Sequence, residues 1–139
     1  ELFVFNTSLT RLTPFLSAGR MHARLERLAA EVPDWSGGTR IGGCLTDFVT
    51  RHLESVVDRR TDVVILSDGL DGGEPEVMAR ALRAIRRRAR CVTWLNPLLG
   101  DERYRPEARG MAAALPFLDH FAPAHNLESL ERAFARTAS

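Results

Sequence analysis

The sequence predicts an α/β fold in which a mostly parallel sheet is covered by helices on both faces, three layers in all. Three observations lead there. Short β-branched runs alternate with segments whose apolar residues recur at helical spacing. The run Thr61-Asp62-Val63-Val64-Ile65-Leu66-Ser67 is nearly continuous in apolar residues, as in a parallel strand buried on both sides. A helical pattern and then Cys91-Val92-Thr93-Trp94-Leu95 follow it, completing a βαβ unit with a right-handed crossover.

In chain order, Leu2 to Asn6 reads as a strand, and Thr7-Ser8 connects it to a second strand over Leu9 to Thr13 that Pro14 ends. The two suit a hairpin at a sheet edge. Met21, Leu25, Leu28, Ala29 and Val32 mark a first amphipathic helix, stopped by Pro33. After the turn-rich stretch from Asp34 to Thr39, the residues Ile41, Leu45, Phe48, Val49, Leu53, Val56 and Val57 share one face of a second helix. Thr61 to Ser67 is expected to be the central strand, and it stops at Asp68-Gly69. Pro75 opens a helix whose apolar face is Val77, Ala81, Leu82 and Ile85. The strand Cys91 to Leu95 breaks at Asn96-Pro97, and Gly100 to Pro106 is a polar loop. A short helix over Ala108 to Leu115, a weak strand over Phe117 to Phe121, and a closing helix capped by Asn126 with Leu127, Leu130 and Phe134 inward complete the chain.

Composition limits what any site can mean. The 139 residues, 45% apolar and 27% charged, suit one globular domain with a buried core. Nineteen basic against 18 acidic groups give a formal charge of +1, so no global field favours nucleic acid or an anionic membrane. Every basic side chain is Arg. No apolar run reaches the roughly 20 residues of a membrane-spanning helix, and the basic-then-apolar order of a signal peptide is missing. Cys44 and Cys91, in apolar surroundings and far from any close Cys or His partner, read as buried hydrophobes in a reducing compartment, which makes the cytoplasm the expected location. Beginning on Glu1-Leu2-Phe3 inside a strand, the sequence reads as a piece of something longer.

Ligands of such sheets bind beyond the carboxyl ends of the strands, which directs attention to two loops, Ser36 to Gly42 and Ser67-Asp68-Gly69. Each has a structural reading as well. Thr39 suits the N-cap of the following helix. Asp68 before Gly69 suits an Asx-type turn, and Asp71 with Gly72-Gly73 reads as more of the same loop. Ser67 has no identifiable base, and Gly-x-Ser-x-Gly is missing. His120 and His125, five apart, read as loop histidines rather than a metal or catalytic pair. Arg83, Arg86, Arg87, Arg88 and Arg90 read as a solvated helix end, with an acidic docking surface as the other reading. No interleaved aromatics favour nucleic acid. Trp94 reads as core, and Trp35 as packing or as the edge of a partner surface.

Gly37-Gly38-Thr39 ahead of an apolar helix, followed by Ile65-Leu66-Ser67-Asp68-Gly69, resembles the second and third metal-binding loops of von Willebrand factor A (VWA) domains. Pro33 to Gly42, Trp94-Leu95-Asn96-Pro97-Leu98, Arg109-Gly110-Met111 and His125-Asn126-Leu127 narrow this to CoxE-type VWA proteins, over the whole chain as one partial domain. These are bacterial accessory proteins associated with carbon monoxide dehydrogenase maturation and paired with MoxR-type AAA+ ATPases.

The resemblance implies a Rossmann-like VWA fold and a metal-ion-dependent adhesion site for Mg2+ or Mn2+, with Thr39 giving its hydroxyl and Asp68 its carboxylate, directly or through water. Trp35, Ser36, Gly38, Arg40 and Gly69 would form the rim met by a partner, whose own Asp or Glu completes the metal shell. The family's first loop, Asp-x-Ser-x-Ser, and the strand and helix around it have no counterpart in the sequence. Two expectations follow: weak or absent metal binding by this chain alone, and self-association or rearrangement of the sheet through strand edges that the missing strand would have covered. The competing function is a metal-dependent hydrolase or phosphotransferase with Asp68 and Asp71 holding the ion, for which no further base or nucleophile is apparent.

Overall fold

The computed structural model describes residues 1–16, 39–103, 105 and 109–137. The helix predicted over Met21 to Val32 lies outside them. Strands β1 (Phe3–Phe5) and β2 (Leu9–Arg11) form an antiparallel hairpin with Val4 opposite Thr10. The second strand is shorter than its sequence suggests. Pro14 lies in the first turn of a short helix α1 (Thr13–Leu16), where a missing N–H costs nothing.

Three parallel strands form the main sheet: β3 (Asp62–Leu66), β4 (Cys91–Asn96) and β5 (His120–Pro123), in the spatial order β3-β4-β5. Among the described residues β4 is therefore the middle strand, and β3, expected at the centre, lies at an edge. Burial follows this order. Val92, Thr93, Trp94, Leu95 and Asn96 are all buried, whereas Val64 is 37% and Leu66 55% exposed. A continuous apolar run records that a strand is meant to be covered, not which neighbour covers it. The last strand also begins later than expected, because Leu115–Phe117 forms a 3-10 turn through Pro116.

One helical layer consists of α2 (Ile41–Arg51), α4 (Pro75–Arg88) and α5 (Arg109–Ala114), with α2 packed directly on α4 and α4 on α5. Ile41, Leu45, Met78, Leu82, Ile85 and Met111 meet Ile65, Val92 and Trp94 of the sheet in a single core. The helix predicted to run to Val57 breaks at His52 and resumes as the single turn α3 (Leu53–Val56). Thr46 and Thr50 donate their hydroxyls back to the carbonyls of Gly42 and Thr46, a pattern that bends helices.

The alternation of β4 sends Thr93 and Leu95 to the opposite face, where α6 (Leu127–Thr137) packs against β4 and β5. Asn126 caps this helix as expected: its Oδ1 accepts from Ser129 N at 2.8 Å, and Ser129 Oγ accepts from Asn126 N at 3.1 Å. Its inward face differs from the sequence reading. Ser129 and Ala133 are buried, while Leu127 and Phe134 are 72% and 52% exposed.

The arginine run lies at an exposed helix end as expected, with Arg83, Arg87, Arg88 and Arg90 open to solvent, and four of its five members also make contacts within the fold. Arg86 pairs with Asp119 at 2.7 Å, and that same carboxylate accepts from Val92 N. Arg88 donates to the carbonyls of Val57 and Glu54 at the end of α3, Arg90 grips Asp62 with both arms of its fork, and Arg83 lies over the Phe117 ring. These arginines bolt α4 to the amino end of the sheet, opposite the carboxyl-end loops.

Candidate functional site

At the carboxyl end of β3 the chain makes a tight turn, held from several directions. Gly69 N donates to Ser67 Oγ at 3.1 Å, and Leu70 N donates to Asp68 Oδ1 at 3.0 Å, so the Asx turn read from the sequence is present. Gly69 has φ +77°, in the left-handed region that suits glycine. A Cβ there would meet Met111 Sδ at 2.7 Å. The middle strand completes the bracing. Trp94 Nε1 donates to the Ser67 carbonyl at 2.9 Å and Asn96 Nδ2 to the Asp68 carbonyl at 3.1 Å, so the backbone on either side of Asp68 is fixed by β4. Asn96 Oδ1 also accepts from Leu98 N, which makes the strand end and the turn one polar network.

The second loop arrives from the other direction. Arg40 N donates to the Asn6 carbonyl at 3.0 Å, and the Thr39 carbonyl accepts from Gly72 N at 3.2 Å, so Thr39 is held between the hairpin and the loop that follows Asp68. Helix α2 starts at Ile41 with Arg40 in the cap position and no side-chain cap from it. The cap that Thr39 could have provided comes instead from Asp71, whose Oδ1 and Oδ2 accept from Ile41 N at 2.9 Å and Gly42 N at 3.2 Å. Asp71 is thus not simply more loop.

Thr39 and Asp68 line the same cleft, of about 710 Å³, between β1 and β3. Phe3, Val4 and Phe5 border it on the hairpin side, and Val63 to Leu66 on the sheet side. Among the described residues no strand lies between β1 and β3. Asn6 and the ring of Phe3 join the hairpin to the rest: Phe3 stacks edge-on against Phe48 with centroids 5.2 Å apart.

Of the expected rim, Arg40 is exposed beside Thr39, whereas Gly69 is buried beneath Met111, and the exposed residue at that turn is Leu70. Trp35, Ser36 and Gly38 lie outside the described residues. His125 packs its ring over Gly100, and His120 opens β5. Burial pushes the Cys44 thiol above its ordinary pKa, and its Sγ faces the Asn6 carbonyl, an inert setting. Sequence reasoning missed Asp71 and Asn96. Asn96-Pro97 signalled only a strand end, and nothing in Asp71-Gly72-Gly73 pointed to a helix N-terminus thirty residues upstream.

The donor set suits a small hard cation in kind, being one hydroxyl and one carboxylate, both oxygen. It does not suffice in number for a near-octahedral shell. Among the described residues no group of three or more His, Cys, Asp or Glu converges as a metal site. No described helix is long and apolar enough to cross a membrane.

The family model for the VWA domain containing CoxE-like protein matches residues 1–130. No curated protein and no solved structure matches the chain.

Replacing Gly69 by Ala should lower the unfolding free energy by about 1–3 kcal/mol, because the left-handed backbone is strained for any side chain and Met111 must move. Leu70→Ala on the exposed side of the same turn should change it by less than about 0.5 kcal/mol. Denaturant midpoints measured side by side check both values. Equal losses would show that the turn does not depend on the glycine.

Proposed function

The chain belongs to the CoxE-like VWA domain family, and on that premise we propose that it is a metal-assisted protein-interaction module rather than an enzyme. It would act in the cytoplasm with a MoxR-type AAA+ ATPase during metalloenzyme maturation. The observation that carries the reading is that Thr39 and Asp68 both line the cleft between β1 and β3, on loops joined by the Asp71 and Gly72 hydrogen bonds.

In this reading the Thr39 hydroxyl and the Asp68 carboxylate would hold Mg2+ or Mn2+, directly or through water. When bound, such an ion would supply positive charge at the rim for an Asp or Glu of the partner. The chain's own residues do the rest. The turn at Gly69, clamped by Trp94 and Asn96, aims the Asp68 carboxylate, and the exposed Arg40 adds a positive charge beside Thr39. Against the hydrolase or phosphotransferase reading stands the engagement of both Asp71 oxygens with α2, which leaves Asp68 without the second carboxylate that reading requires.

Two donors are few, so titration of the chain alone with Mg2+ by calorimetry should show weak binding or none. Tight, stoichiometric binding would falsify that expectation and point to a complete site within the chain. The interaction itself is tested with the intact protein and its neighbouring ATPase. Copurification should hold in Mg2+ and be lost with a chelator or in Asp68→Ala; retention under both conditions would refute a metal-assisted contact.

A second expectation follows from the cleft. Among the described residues no strand pairs with the outer edge of β3, and the exposed Val64 and Leu66 form an apolar wall beside it. Self-association through this edge should raise the mass in solution scattering as concentration rises, and Val64→Lys should return it to the monomer. A monomeric profile at every concentration would contradict it.

A further inference from the structure

We propose that Asp71 is the positioning residue of this rim, the carboxylate that sets how far the Thr39 segment stands from the Asp68 turn. The inference rests on the metal reading only for the use made of that spacing. A helix N-terminus leaves its first N–H groups without intrahelical partners, and a cap from within one or two residues is the usual remedy. In α2 the remedy comes from the far side of the rim. Ile41 N and Gly42 N donate to the two oxygens of Asp71 at 2.9 and 3.2 Å, and the next residue, Gly72, donates its N–H to the Thr39 carbonyl at 3.2 Å. Charge-assisted bonds at a helix's positive end are the stronger kind. Asp71 is three residues beyond Asp68, and the turn between them is closed by Leu70 N on Asp68 Oδ1. The segment bearing one proposed ligand is thus fastened to the loop bearing the other.

Packing adds an independent observation. Three glycines from separate segments border Asp71 where a side chain would crowd it. A Cβ on Gly42 would meet Asp71 Oδ2 at 3.1 Å, one on Gly73 would meet the same oxygen at 3.3 Å, and one on Gly110 would meet Asp71 Cβ at 3.3 Å. A carboxylate that merely decorated a loop would need no such surroundings. This one is seated in one place, so the separation of the two loops is fixed rather than adjustable.

The test uses the whole chain carrying Asp71→Asn, which keeps the shape but offers one acceptor oxygen and turns an amide toward the other N–H donor. Amide exchange at Ile41, Gly42 and Gly72 should quicken by about tenfold or more while Val92 and Leu95 of β4 keep their protection. With excess Mn2+ as probe, any broadening in the native chain should reach the Thr39 and Leu70 amide resonances together, and in the variant Thr39 should escape while Leu70 does not. Unchanged exchange at Ile41 and Gly42, exchange that rises equally in β4, or joint broadening that survives the substitution would each overturn the proposal. Native resonances that stay sharp with Mn2+ are the absence of binding already expected of this chain alone, and the exchange pattern then decides the role of Asp71 by itself. Should Asp71→Asn fail to fold, Gly73→Ala presses on the same carboxylate and should give the same local pattern, more weakly.

Discussion

A buried strand must place every backbone and side-chain polar group against a partner, and in β4 that requirement shapes the whole upper end of the molecule. Trp94 and Asn96 are fully buried, so the indole N–H and the carboxamide must find acceptors within the protein. They find them in consecutive carbonyls, those of Ser67 and Asp68. The same two bonds that satisfy the core thereby fix the turn at the end of β3. The geometry of the rim is in this sense a by-product of packing: Asp68 points where it does because its main chain completes the hydrogen bonding of the neighbouring strand.

Beyond this turn, fixation passes outward through one link after another. The turn leads to Asp71, Asp71 to the start of α2, and Arg40 to the hairpin through Asn6. The α2–α4 packing beneath is apolar and continuous with the sheet, so these polar links sit on a rigid base. At the other end of the sheet the arginines of α4 and the residues just after it clamp Asp62, Asp119 and the carbonyls of α3. Parallel strands have two chemically different ends, and in this molecule one is bolted by ion pairs while the other is left to loops.

Much of this was legible in the sequence wherever the cause is local. The β-branched runs gave β3 and β4, Pro75 marked the start of α4, and Asn126 with Ser129 capped α6, since each depends on residues a few positions apart. The features that escaped depend on distant partners. Nothing near Thr61 to Ser67 says that β4 rather than β3 is the middle strand, for apolarity does not name its neighbour. Asp71 caps a helix from thirty residues away, and Arg86 and Arg90 find carboxylates that only the fold brings near. Leu127 and Phe134 keep helical spacing with Leu130, yet the small residues Ser129 and Ala133 take the sheet side, because close approach of α6 to β4 favours them. Of the candidate site, Thr39 and Asp68 were named through the resemblance alone, and the hydrogen bonds around them depend on partners too distant in sequence to be read.

The hairpin differs from the rest of the molecule in how it is attached. Among the described residues, the backbone bond from Arg40 N to the Asn6 carbonyl, the Cys44 contact to the same carbonyl and the packing of Phe3, Phe5 and Leu9 against the core join it to the main body, with no strand ladder between β1 and β3. A unit held by side-chain packing and few backbone hydrogen bonds has a lower local opening free energy than one woven into a continuous sheet. The hairpin is therefore the natural first foldon to detach under mild denaturant. Its detachment would bare Phe48 and release Arg40 while the three-stranded body stayed folded, so partial unfolding of this domain would begin at the very segment that flanks Thr39.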